Sequence, residues 1–113
     1  MIGAISQNIT KVKNVLESED VLSTISCLKK LGVKILRHKT KNYSIYGKGL
    51  GSLNLKKDGS LNFGNSGTLA RLLIGILTST PNVEAKLSGD HSLKNRSMKN
   101  LIQLMEKFGA YFT

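Results

Sequence analysis

Gly64-Asn65-Ser66-Gly67-Thr68-Leu69-Ala70-Arg71-Leu72-Leu73 is a turn built from two glycines and small polar residues that runs directly into an apolar helical pattern. Thr68 stands at the junction and Arg71 lies one turn in. A helix start leaves backbone N–H groups without acceptors and carries the positive end of the dipole, so it suits a phosphate or carboxylate. Glycine has no Cβ and lets an anion approach the backbone. The pattern matches neither the phosphate loop GxxxxGK[ST] nor the dinucleotide fingerprint GxGxxG. A capped helix after a tight turn accounts for the same residues equally well on local grounds.

On either side the spacing predicts a mixed α/β chain. Ile9 to Val15 reads as a strand of imperfect alternation. Ser18 is a good N-cap, Glu19 and Asp20 suit a helix start, and Val21, Leu22, Ile25, Leu28 and Leu31 repeat at helical spacing up to a stop at Gly32. Val33 to Leu36 and Tyr43 to Tyr46 are expected as antiparallel strands across a Lys39–Asn42 turn, with a further short strand at Leu53 to Leu55. Thr68 to Thr78 is apolar nearly all round and is expected to be buried. A strand follows at Val83 to Leu87, a helix at Ser97 to Phe108 stopped by Gly109, and the start of a strand at Ala110 to Phe112. Val21–Val33 and Met98–Ala110 share one pattern, an amphipathic helix, a glycine and a strand, at an offset too long for a solenoid repeat.

A second glycine-led polar loop, Gly89-Asp90-His91-Ser92-Leu93-Lys94-Asn95-Arg96-Ser97-Met98, also ends in an arginine before a helix. Gly-Asn-Ser-Gly-Thr-x-x-Arg followed by Gly-Asp-x-Ser-x-x-x-Arg-x-Met resembles the enolpyruvyl transferase family, and within it the branch acting on shikimate 3-phosphate. Leu16 to Thr24 and Leu31-Gly32-Val33 fit the same pattern in the same order, so the resemblance covers nearly the whole chain. It implies an α/β fold of βαβαββ units with helices packed inside a shell of sheets, incomplete here. It also implies transfer of the enolpyruvyl group of phosphoenolpyruvate to the 5-hydroxyl of shikimate 3-phosphate, with loss of inorganic phosphate. That step leads towards chorismate and the aromatic amino acids.

Carried over residue by residue, the resemblance gives Gly67, Arg96 and Asn65 to the phosphoenolpyruvate site, with Thr68, Arg71 and Asp20 supporting it. Both substrates are anionic, and the planar fork of Arg96 suits carboxylate or phosphate. Each residue keeps a plainer alternative: a turn glycine at Gly67, a turn residue at Asn65, a cap at Thr68, an internal ion pair for Arg71 and helix-start stabilisation by Asp20. Arg96 as a mere surface residue is electrostatically misplaced beside a positive helix end, which favours an anionic partner. Ser97 stands where the family usually has proline, a change a helix start tolerates. The family's Lys-Ser-x-x-x-Arg segment is expected just before Gly3-Ala4-Ile5, and its second domain, with the acid–base carboxylates, is not in this sequence. Residues 1–113 are therefore read as one partial domain, part of the N-terminal domain of such an enzyme, inactive alone and without a complete catalytic set.

The chain carries 17 Lys and Arg against 7 Asp and Glu, a net charge of +10, and so attracts anions. The lysines are scattered, which is the usual pattern of a solvated surface. Lys29 to Lys41 alone is dense enough for a nucleic-acid patch, where Tyr43 and Tyr46 offer rings for stacking, but no nucleic-acid module accompanies it. The single cysteine, Cys27, excludes an internal disulfide, fits a reducing compartment and reads as a buried apolar group. No apolar run spans a membrane and no signal-peptide core is present, so a cytoplasmic place is expected. His38 and His91 lack metal-ligand spacing, and neither a metal nor a cofactor is expected. The alternatives are a stand-alone basic module binding anions or nucleic acid, a truncated remnant, and the related enzyme acting on UDP-N-acetylglucosamine. That relative typically uses a catalytic cysteine in a different segment, which Cys27 does not match.

Overall fold

The computed structural model describes residues 1–113. A short helix α1 (Ile2–Ile5) leads into β1 (Ile9–Val12), helix α2 (Glu19–Lys30), β2 (Lys34–Arg37), a 3-10 turn and β3 (Tyr43–Tyr46). Then come β4 (Ser60–Asn62), α3 (Gly67–Thr78), β5 (Lys86–Ser88), the single turn α4 (His91–Lys94) and α5 (Lys99–Lys107). Both β1 and β2 pair antiparallel with β3, so β1 and β2 run parallel with β3 between them. β4 and β5 form a separate parallel pair joined through α3. The chain is thus mixed α/β: a β–α–β–β segment followed by a β–α–β–α segment.

In the three-stranded sheet, residues facing each other across the register share a face, so period-2 alternation sets what is buried. Ile35 and Tyr43 turn inward, whereas Lys34 and Leu36 turn to solvent. Cys27 and Leu28 of α2, with Leu31 at its C-terminal cap, meet Leu61, Phe63 and the Leu69, Ala70 and Leu73 face of α3 in one core. The radius of gyration is 14.1 Å. A compact domain of this length has about 13 Å, so the molecule, with extents of 41 × 30 × 23 Å, is slightly drawn out.

The repeated helix–glycine pattern is a repeated hydrogen-bonded cap. Gly32 and Gly109 adopt φ of +90° and +98°. Gly32 N–H donates to Lys29 C=O and Val33 N–H to Leu28 C=O; Gly109 N–H donates to Glu106 C=O and Ala110 N–H to Met105 C=O. Both are Schellman closures, in which only glycine takes the left-handed position without a steric cost.

Several expectations are corrected. β1 stops at Val12 because Asn14 turns left-handed (φ 54°) and Val15 N–H is taken by Lys41 C=O instead of the ladder. β2 starts at Lys34, one residue late, since the helix cap uses Val33 N–H. Leu53 to Leu55 is not a strand: Leu53 plugs the core, and Asn54 N–H makes a single bond to Leu31 C=O. β4 was not foreseen, because three residues cannot display an alternation. β5 covers Lys86–Ser88, all exposed, rather than Val83 to Leu87. Helix α3 buries one face only, and Leu72 stays 54% exposed. The third long helix is shorter than expected, α4 precedes it, and Ala110 to Phe112 forms no strand.

Candidate functional site

Helix α3 begins at Gly67, and its cap is Ser66 rather than Thr68: Leu69 N–H donates to Ser66 Oγ at 3.1 Å. The serine was legible, since a small hydroxyl immediately before the first helical residue is the preferred cap, but Thr68 two residues on is an equal competitor on paper. With Leu69 and Ala70 N–H both bound by Ser66, the N–H groups of Gly67 and Thr68 have no acceptor in the chain. They project at the positive end of a 12-residue helix.

Arg96 covers this start. A Cβ added to Gly67 would lie 2.6 Å from Arg96 Nη1 and 3.7 Å from its Cζ, so the guanidinium rests where a side chain at Gly67 would be. The two polar loops are stitched together to allow this. Phe63 N–H donates to Ser88 C=O and Asp90 N–H to Gly64 C=O, each at 2.8 Å. Asp90 then caps α4 through Leu93 N–H at 2.8 Å, and that single turn delivers Arg96. From the other side, Arg71 Nη2 donates to Ser97 C=O at 3.4 Å. Gly67 and Arg71 are four residues apart on one helix face, so the Arg96–Ser97 segment is laid along that face.

The structure therefore brings Gly67, Thr68, Arg71 and Arg96 together. Arg96 has no carboxylate partner, and the internal ion pair offered as the alternative for Arg71 does not form: the chain's one ion pair is Arg37 with Glu17. Asn65 sits exposed in the turn without a side-chain hydrogen bond. Asp20 lies exposed in the first turn of α2, and its carboxylate touches neither Gly67 nor Arg96; its carbonyl accepts from Thr24 Oγ1. The Arg96 guanidinium at a helix start with two free N–H groups, and without an ion-paired acid, can hold one small anion by charge-assisted bonds.

Other groups are spoken for. Tyr43 is buried with its hydroxyl on Glu17, and Lys34 lies over the Tyr46 ring, so neither tyrosine is free for stacking. Cys27 is buried with Sγ donating to Asn62 C=O at 3.3 Å, and burial pushes its thiol up. His38 bonds Ser44 Oγ, and no three metal-ligating side chains cluster. No helix is long and apolar enough to cross a membrane. The Glu17, Arg37 and Tyr43 cluster was invisible in the sequence, because its members are 20 and 26 residues apart.

A family model described as EPSP synthase (3-phosphoshikimate 1-carboxyvinyltransferase) matches residues 1–112. Relatives named 3-phosphoshikimate 1-carboxyvinyltransferase include one from Magnetococcus marinus, 44% identical over 97% of this chain and 24% of its own length. Another, from Caldicellulosiruptor saccharolyticus, is 46% identical over 99% of this chain and 25% of its own. The solved EPSP synthase of Acinetobacter baumannii superposes with a TM-score of 0.86 at 35% identity, covering 96% of this chain and 24% of that one. The chain spans about a quarter of the length of the relatives it matches. It belongs to the EPSP synthase family.

Proposed function

We propose that this chain supplies one wall of a phosphoenolpyruvate site in a 3-phosphoshikimate 1-carboxyvinyltransferase. The observation that carries the reading is the seating of the unpaired Arg96 guanidinium over Gly67, at a helix start with two free N–H groups. A trianionic ligand cancels the repulsion between Arg96 and the helix dipole and satisfies the free donors together. Gly67 leaves the space in which that guanidinium and a ligand oxygen meet. Arg71 supports it by holding Ser97, and Thr68 contributes its backbone N–H. Asn65 borders the same turn, and Asp20, exposed in the first turn of α2, supports the site from outside the anion's contact shell.

In this reading the reaction joins the 5-hydroxyl of shikimate 3-phosphate to C2 of phosphoenolpyruvate and then expels phosphate. The residues here bind and orient the enol phosphate; none is placed to move the proton. Acid–base groups come from the part of the relatives beyond the quarter matched, so residues 1–113 form a partial domain of a cytoplasmic enzyme and do not turn over alone. Calorimetric titration with phosphoenolpyruvate tests the reading. A hydrogen bond to a charged group contributes about 1.5–3 kcal/mol, so Arg96→Ala is expected to weaken binding about 10- to 100-fold. Equal affinity of wild type and Arg96→Ala would refute it.

A further inference from the structure

Among 17 basic and 7 acidic side chains, one ion pair forms, and it lies away from the anion site. Glu17 Oε1 accepts from Arg37 Nε at 2.6 Å and from Tyr43 Oη at 2.6 Å, while Oε2 faces Arg37 Nη2 at 3.5 Å. The three groups come from three segments: the β1–α2 connector, the end of β2 and the start of β3. The same connector is tied to the β2–β3 hairpin tip twice more, by Val15 N–H to Lys41 C=O at 2.9 Å and Asn14 N–H to Asn42 Oδ1 at 3.2 Å. Glu17 immediately precedes Ser18, which caps α2 through Val21 N–H.

Helix α2 in turn holds the strand and turn that open α3. Lys30 Nζ donates to Ser60 C=O at 3.1 Å and Cys27 Sγ to Asn62 C=O. Nearest its start, Ser23 faces Gly64: a Cβ there would lie 2.9 Å from Ser23 Oγ. Gly64 holds φ +58° and accepts Asp90 N–H, so the residue that Ser23 backs is also the one that joins the two loops of the site.

We propose that Glu17, clasped by Arg37 and Tyr43, is a positioning residue for the anion site: it fixes the start of α2, whose Ser23 seats Gly64 and hence the glycine turn before Gly67. Its significance for binding rests on the function proposed above; its effect on the turn does not. Arg37 and Glu17 are partly exposed, whereas the Tyr43 ring belongs to the buried cluster, so Glu17→Ala and Tyr43→Phe, which both keep that ring, leave the packing of the cluster in place.

The test uses the whole 113-residue chain and its backbone amide spectrum, with and without phosphoenolpyruvate. Glu17→Ala removes the clasp, Tyr43→Phe removes one bond while keeping the ring, and Glu17→Gln keeps an acceptor for both partners. Without ligand, Glu17→Ala is expected to shift the amides of Ser23, Gly64 and Gly67, with a smaller shift in Tyr43→Phe and near-recovery in Glu17→Gln. With ligand, affinity falls about threefold or more in Glu17→Ala and returns in Glu17→Gln. Amide shifts confined to residues 14–18 and 37–43, in Tyr43→Phe as well as Glu17→Ala, would overturn the proposal. A wild-type chain that ignores phosphoenolpyruvate would sink the functional reading instead, and the ligand-free shifts would still decide the role of Glu17.

Discussion

Gly67 is where the backbone's needs and the ligand's needs can be told apart. Its φ is not left-handed, so alanine is allowed there, and in a first helical turn that exchange stabilises by about 0.4–1 kcal/mol. The new Cβ, however, would stand 2.6 Å from Arg96 Nη1 and displace the free end of a flexible side chain. Gly67→Ala is therefore expected to melt at or above the wild-type temperature while losing phosphoenolpyruvate affinity. A variant that unfolds would show that the glycine serves the backbone. Glu17 carries a pH prediction. The hydrogen bond from Arg37, then that from Tyr43, holds its carboxyl below the ordinary value, so the folded state binds that proton less well than the unfolded chain. The clasp's contribution is then complete above about pH 4.3, the unfolded glutamate value, and is lost as pH falls through the lower folded value. Urea unfolding at several acidic pH values should show this loss in wild type and not in Glu17→Gln.

At the level of elements, caps and turns carry the sharpest expectations. Thr40 and Lys41 both hold φ near +60° at the tip of the β2–β3 hairpin, a conformation β-branched residues avoid. Thr40→Gly is expected to raise stability by about 1 kcal/mol, read from the urea midpoint. Gly32 and Gly109 make the opposite case. Gly32→Ala is expected to cost more than Gly109→Ala, because its Cβ would also meet Lys48 Nζ at 2.8 Å and Asn54 Oδ1 at 3.1 Å, whereas nothing lies within 4 Å at Gly109. These two glycines were legible in the sequence as helix stops, and so was the β2–β3 pairing, because amphipathic spacing and a turn are local signals. β4 was not, since three residues with Leu61 alone buried are too short to display an alternation. β5 was placed too early, at Val83 to Leu87, because its three residues are all exposed and its pairing is set by α3 crossing between the two strands. The juxtaposition of Gly67 with Arg96 was implied by likeness to a family; nothing in the spacing alone dictates that a guanidinium 29 residues away lies over that glycine.

For the whole molecule, the balance between core and exposed apolar surface matters. Only 19 of 113 residues are buried, while Ile2, Leu16, Leu50, Leu72, Phe108 and Tyr111 are each more than half exposed. So thin a core gives a small stability margin. The chain by itself is expected to bind an apolar dye more strongly than a relative four times its length, measured by fluorescence at equal mass concentration. Equal dye binding would show that these side chains need no further cover. The basic surplus agrees with the proposed site: Arg71 and Arg96 lack internal counterions, as an anion-binding role requires. The most direct measurement is an amide-shift titration of the 113-residue chain with phosphoenolpyruvate at low salt. Saturable shifts centred on Gly67, Thr68 and Arg96, absent in Arg96→Ala, are the predicted result. Shifts spread over the scattered lysines, unchanged in Arg96→Ala, would contradict the account.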